Sequence, residues 1–248
     1  MKKVLKWIGI ALLLIIVILV ILGLIAHEKR PVANPSSEAD ALAEEMMQAV
    51  NKAAWDTTHV LMWDFAGLHQ FLWDKKRHLA KVSWGEKEVF VNPVTKEGVA
   101  FDRGQKVAGE IRDKLVVKAW QYFLNDAFWL NPVVKAFDPG TERSIVTTKD
   151  GREGLMVHYS SGGVTPGDSY VWILDENKRP EAWKMWVKIV PIGGVESTWE
   201  NWITLETGAL VSTLHGSPIF DLELTNVKGA TDFESLGIEG DPFAIMFE

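Results

Sequence analysis

Hydrophobic positions along this chain follow three rhythms, and each predicts a different kind of element. From Trp7 to Ala26 no charged or polar side chain interrupts the apolar run. At about 1.5 Å per helical residue the run reaches about 30 Å, the hydrocarbon thickness of a bilayer. A transmembrane helix is therefore expected over residues 8–26. A removable signal peptide has a shorter apolar stretch, about 7–15 residues, before small residues at a cut site, so an uncleaved signal anchor is the expectation. Lys2, Lys3 and Lys6 precede the run and His27-Glu28-Lys29-Arg30 follow it. That asymmetry favours residues 1–7 in the cytoplasm and the remainder outside. The expected location is the inner (cytoplasmic) membrane, single-pass, with the C-terminal domain in the periplasm or at the cell exterior.

The second rhythm is helical. Pro31, Asn34, Pro35 and Ser36 make residues 27–37 a polar linker, and a domain is expected over 38–248. Ser37 is the expected N-cap of a helix to about Ala53, with Glu38 and Asp40 in its first turn. Ala39, Leu42, Met46, Val50 and Ala53 form its apolar stripe. A second helix is expected from Gln105 to Asp126. Its first half is amphipathic through Val107, Ile111 and Leu115; its second half, Val116 to Leu124, is apolar nearly all round and should be enclosed. Ala127-Phe128-Trp129-Leu130 continues that surface to Asn131-Pro132.

The third rhythm has period two. Between Thr57 and Phe101, short runs of β-branched and aromatic residues are punctuated at Ala66-Gly67, Asp74-Lys75-Lys76-Arg77, Gly85-Glu86 and Asn92-Pro93, the signature of a hairpin meander. Further strands are expected at Ser144–Thr148, Gly154–Ser160, Asp168–Leu174, Glu181–Val190, Ser197–Glu206, Ala209–His215 and Ile219–Val227. About ten strands in consecutive hairpins make one large antiparallel sheet that must curl or close. The predicted class is α+β: an N-terminal transmembrane helix, then a large curved antiparallel β-sheet, a half-barrel, wrapped around one or two helices.

Composition sharpens this picture at one point, with twelve Trp against three Tyr. Trp183, Met185, Val187 and Ile189 share one strand face, opposite Lys184, Trp186 and Lys188. Tyr170, Trp172 and Leu174 share a phase, as do Leu61, Trp63 and Phe65. Bulky rings on a concave sheet pack less evenly than Val, Ile and Leu. A hollow for a lipid or other apolar ligand is therefore expected under the second helix, lined by Trp63, Trp73, Trp120, Phe123, Trp129, Trp172, Trp183 and Met185. The competing reading makes the same side chains an ordinary filled core.

The element order from Ser37 to Val227 resembles the bacterial lipoprotein-carrier fold of outer-membrane lipoprotein sorting. The stretches Tyr170-Val171-Trp172-Ile173-Leu174-Asp175 and Trp183-Lys184-Met185-Trp186 look like its paired central strands. That resemblance implies a half-barrel around helices that holds acyl chains without catalysis. The soluble carrier of such systems has a cleaved signal and the receptor a lipidated cysteine. The expected role here is to hold or hand on a lipid near the inner membrane.

Signposted chemistry is sparse. The chain has no Cys, which excludes disulfides, Cys-ligated zinc, iron–sulfur sites and thiol nucleophiles. A net charge of −7 argues against nucleic acid as a partner, since that affinity rests on clustered Lys and Arg. His-Glu-x-x-His, Gly-x-Ser-x-Gly and Walker patterns do not occur. No catalytic residue, cofactor or metal is assigned. Ser160 to Asp168, beside His158, reads as a hairpin turn rather than an anion cradle because it opens no helix. His59, His69 and His78 read as hydrogen-bonding side chains rather than a metal site. Two rival functions stand beside lipid binding: an envelope hydrolase using carboxylates and His158, and a scaffold for an envelope protein partner with Trp186 as a contact.

Overall fold

A computed structural model describes residues 2–161, 165–218 and 220–247. Helix α1, Lys2–Ala26, carries the apolar run and is long and apolar enough to cross a membrane. Helix α2, Ser37–Ala49, is capped one residue earlier than expected: Ser36 Oγ accepts from the Ala39 amide at 3.2 Å. Its buried side is Ala39, Ala43, Met46 and Met47, so the stripe is rotated away from Leu42. A short helix α3, Lys52–Thr57, follows after Asn51, whose left-handed backbone and side-chain cap restart the helix.

The first meander contains β1 (Val60–Phe65), β2 (His69–Asp74), β3 (Leu79–Trp84), β4 (Lys87–Val91), β5 (Gly98–Asp102) and β6 (Gln105–Val107). Strand β6 corrects the expected helix start at Gln105. Arg103 and Gly104 both take positive φ, 52° and 73°, which closes a two-residue hairpin and sends Gln105–Val107 back along β5. Helix α4 instead runs Gly109–Leu130, followed by a 3-10 turn at Pro132–Lys135. The second meander is β7 (Thr141–Thr147), β8 (Glu153–Tyr159), β9 (Ser169–Leu174), β10 (Pro180–Trp186), β11 (Val195–Thr198), β12 (Glu200–Thr204), β13 (Leu210–His215) and β14 (Leu222–Ala230). Two expected segments are thereby shortened: β10 stops at Trp186, and β14 starts at Leu222. Ile219 and the Gly162–Val164 centre of the Ser160–Asp168 turn lie outside the described residues. Near the C-terminus Phe243 is fully buried, and Ala244–Met246 forms a 3-10 turn rather than a strand.

All pairings are antiparallel. Nine strands lie in the order β12-β13-β14-β1-β2-β3-β4-β5-β6, and five in the order β11-β10-β9-β8-β7. Trp199 alone separates β11 from β12, so a strand expected to be continuous belongs to both sheets. The chain must change partner there, from β10 to β13. The Trp199 amide still donates to Glu181 O at 2.7 Å while the Thr198 amide donates to Gly216 O at 2.8 Å. Asn201, at φ 51°, absorbs the turn, a left-handed conformation that Asn tolerates better than most residues. The result is an open, curved antiparallel wall around helices, in the element order that the resemblance implies.

Each sheet has its own helix. Leu115, Val116, Ala119 and Phe123 of α4 pack on Leu61, Trp63, Phe71, Val82 and Ala100 of the larger sheet. Gly98 permits this approach, because a Cβ there would lie 3.1 Å from a Val116 methyl and 2.4 Å from Phe90 O. Ala39, Ala43, Met46 and Met47 of α2 pack on Leu155, Val157, Trp172 and Trp183 of the smaller one.

Candidate functional site

The eight rings and side chains singled out in the sequence occupy three places. Trp63 is fully buried, stacked on Phe71 at 4.6 Å with Phe123 tilted against both, in the core under α4. Trp73 stands at the rim of that core, edge-on to Phe123 at 5.2 Å. Trp172, Trp183 and Met185 lie in the core under α2, where Trp172 and Trp183 approach Trp199 at 5.2 and 5.0 Å. Trp129, in the last turn of α4, meets Trp183 edge to face at 4.9 Å and bridges the two cores. Trp120 lies on another side of α4, its Nε1 donating to Pro93 O at 3.0 Å beneath the Lys96 ammonium.

The larger open cleft, about 490 Å³, lies where α3, the end of β2, the end of α4 and the following turn converge. Its aromatic lining includes Trp55 and Trp73, 6.4 Å apart and tilted, and Val134 and the 40% exposed Phe137 line it as well. Lys52, Lys75 and Lys135 complete this lining. Two of these cations have carboxylates at hand: Lys52 pairs with Asp56 at 2.5 Å and Lys135 with Asp138 at 3.2 Å. Lys75 differs. Its ammonium donates to Trp55 O at 2.5 Å and stands 4.4 Å over the Trp55 ring. Burial pushes its pKa down to about 8, Lys52 and Lys135 push the same way, and Asp56 opposes them. Losing the hydration shell costs the ammonium more than the nearby Asp56 carboxylate returns, which is what lowers its pKa.

Of the residues expected to touch ligand, the cleft contains Trp73. The sequence pattern assigned no ligand role to Lys52, Trp55, Lys75, Lys135 or Phe137; Lys75 does lie in the turn expected after β2. Three Trp-Asp dipeptides occur, Trp55-Asp56, Trp63-Asp64 and Trp73-Asp74; the first and third rings line the cleft while Trp63 is buried in the core. A second hollow of about 310 Å³, between Glu44, Met47, Gln48, Asn51 and Ala53, shares Lys52 with the first.

His59, His69 and His158 have defined partners. His69 Nδ1 lies 2.6 Å from Asp126 Oδ2 beneath the Tyr122 ring, and burial raises the Asp126 carboxyl. His59 contacts Thr231 O at 3.1 Å. Among the described residues no three His, Asp or Glu side chains are grouped to hold a metal ion. His158 Nδ1 lies 2.8 Å from Ser169 Oγ, with the Arg30 guanidinium 3.1 Å from each. Ser169 is fully buried, so its hydroxyl has no path to a substrate carbonyl.

No family model matches the sequence, and no curated protein matches it. Two solved structures are similar in backbone course. A DUF1329 family protein from Desulfovibrio piger is 12% identical, with a TM-score of 0.41 over 82% of this chain and 100% of its own. A protein domain from Vibrio parahaemolyticus, described as outer membrane lipoprotein-sorting, is 7% identical, with a TM-score of 0.35 over 83% of this chain and 98% of its own.

Proposed function

We propose that this chain is an envelope protein, anchored in the inner membrane by α1, whose exported domain binds an amphiphilic lipid without catalysis. The cleft between Trp55 and Phe137 carries this reading. Its volume, about 490 Å³, falls within the range of about 300–1,000 Å³ typical of small-molecule sites. Its rings offer an apolar wall, and each methylene that leaves water against such a wall contributes about 0.8 kcal/mol. The Lys75 ammonium forms no ion pair among the described residues and feels Asp56 only beyond pairing distance, which suits an anionic head such as a carboxylate or phosphate. Trp73 is the ligand-facing ring and Phe123 supports it. For an acyl chain to pass deeper, among Trp63, Trp129, Trp172, Trp183 and Met185, α4 must lift away from the sheet. Trp120 sits where that movement would open the helix at its other side.

The test uses the full-length chain in mild detergent, with phosphatidylglycerol and palmitate as probes. Native mass spectrometry is expected to show a one-to-one adduct, and tryptophan emission to change on titration. Trp73→Ala and Lys75→Met should each weaken binding about tenfold, the equivalent of about 1.4 kcal/mol. A wild-type chain that shows neither adduct nor emission change refutes the reading.

A further inference from the structure

The segment that follows α1 is fastened to the domain. His27 Nδ1 accepts from the Gly193 amide at 3.0 Å, and the Glu28 amide donates to Gly193 O at 2.9 Å. Glu28 O accepts from Trp186 Nε1 at 2.8 Å. Both Glu28 carboxylate oxygens accept from Lys184 Nζ, at 3.0 and 3.2 Å. Lys184 is only 3% exposed and points to the outer face of β10. There it also meets Asp150 at 2.9 Å, while Arg152 ties Asp150 to Glu196. Farther on, Arg30 donates to Ser169, Ala33 packs on the outer-face cluster of Val146, Met156, Val171, Ile173 and Ala182, and the Ser36 amide donates to Arg143 O. Residues 27–36, within the expected polar linker 27–37, thus cross the outside of the smaller sheet as a strap.

The same fastening brings the loop after β10 against α1. A Cβ at Gly23 would lie 3.6 Å from the Ile192 side chain. At Gly193 a Cβ would lie 2.7 Å from Glu28 O, and at Gly194, whose φ is +80°, 2.6 Å from Glu28 Cβ, so nothing larger than glycine lets loop and strap approach this closely. The loop is apolar where it is open to its surroundings: Ile189 is 70% exposed, Pro191 is exposed, and Lys188 stands exposed beside them. Gly23 lies three residues inside the apolar run ending at Ala26, about 4.5 Å along the helix axis. Whatever surrounds Gly23 therefore also surrounds Ile192.

We propose that loop 187–192 is a second bilayer contact, inserting Ile189, Pro191 and Ile192 at the boundary of headgroups and acyl chains beside α1. Its partner is the lipid surface that the anchor crosses, so the inference rests on α1 spanning the membrane. Apolar side chains flanked by a basic one favour that depth. The strap holds loop and anchor in register, and the domain stands on the membrane at a fixed angle.

The absence of Cys from the chain makes single-cysteine labelling direct. Leu14→Cys, Ile189→Cys and Val94→Cys, each made in the full chain, are labelled with an environment-sensitive fluorophore in phosphatidylethanolamine–phosphatidylglycerol vesicles. Lipids carrying a quencher high on the acyl chain are then added. The Ile189 label should emit at shorter wavelength and be quenched, the Leu14 label should be shielded from water, and the Val94 label, at an exposed turn of the larger sheet, should show neither effect. Adding Glu28→Ala to the Ile189 variant should move its quenching toward the Val94 level. If the Leu14 label is shielded and the Ile189 label behaves like that at Val94, the anchor stands and the loop proposal is overturned. If the Leu14 label is exposed to water, the spanning reading fails first and the proposal with it.

Discussion

Trp129 and Trp183 meet edge to face at 4.9 Å, and through this contact the last turn of α4 rests on the smaller sheet. Trp183 is fully buried and also touches Tyr170, Trp172 and Trp199. Truncating such a ring leaves a cavity that its neighbours fill only in part. Trp183→Ala should therefore destabilise the chain by about 3–5 kcal/mol, read from denaturant midpoints in detergent. Leu68→Ala, at an exposed turn, should cost less than about 0.5 kcal/mol in the same measurement.

Gly98 sets how closely α4 approaches β5. Gly98→Ala should cost about 1–3 kcal/mol, because the new methyl meets both Val116 and Phe90 O. Adding Val116→Ala should recover only the part owed to the side chain, since the carbonyl contact persists. Melting temperatures of the two single variants and the double variant separate these contributions. Full additivity would show that Gly98 and Val116 do not meet.

His215 gives the chain an acid sensitivity of known sign. It is buried between Trp129 and Trp199, and burial lowers its pKa from 6.5 to about 4, with backbone groups of Thr198 and Trp129 opposing in part. Below pH 6.5 the unfolded chain takes up a proton on this ring, while the native chain does not until about pH 4. Native stability should therefore fall as pH drops through that window, by about 3 kcal/mol in all. Thermal melts of wild type and His215→Leu across this range test the point: the variant's curve should be flatter by that amount.

Lys75 predicts the opposite pH limit for ligand. Its ammonium is neutralised near pH 8 in the empty cleft, and a bound anion shifts that midpoint upward. Affinity for an anionic amphiphile should be full at pH 6–7 and fall as pH rises beyond about 8. Titrations of the Lys75→Met variant should show weaker binding without that slope. An equal slope in wild type and variant would assign the pH dependence to another group.

Hairpins were legible because their turns are written locally, as at Gly85-Glu86 and Asn92-Pro93. The helical reading of Gln105–Val107 failed because Val107 fits an amphipathic spacing with Ile111 and Leu115, and three residues are too few for the period to correct itself. The corner at Trp199 was invisible for a related reason. Period-two alternation continues through a change of partner, and nothing in the pattern records which strand lies alongside. Large rings could be identified as buried, yet whether they enclose space depends on the packing of Trp63 against Phe71 or Trp129 against Trp183. The lysine-rimmed cleft draws Lys52 from α3, Lys75 from the turn after β2 and Lys135 from the 3-10 turn, a convergence that only the tertiary arrangement creates.

Strand β1 has β2 on one side and β14 on the other, so Val60 pairs with both Asp74 and Ala230. During synthesis the first hairpins are translated early, but the edge of β1 stays unsatisfied until β14, ending at Ala230, has left the ribosome. Closure at such sequence separation is slow, and a waiting strand edge invites intermolecular pairing. Chaperone protection of the emerging N-terminal meander should thus matter more to the yield of this protein than the intrinsic stability of the finished fold.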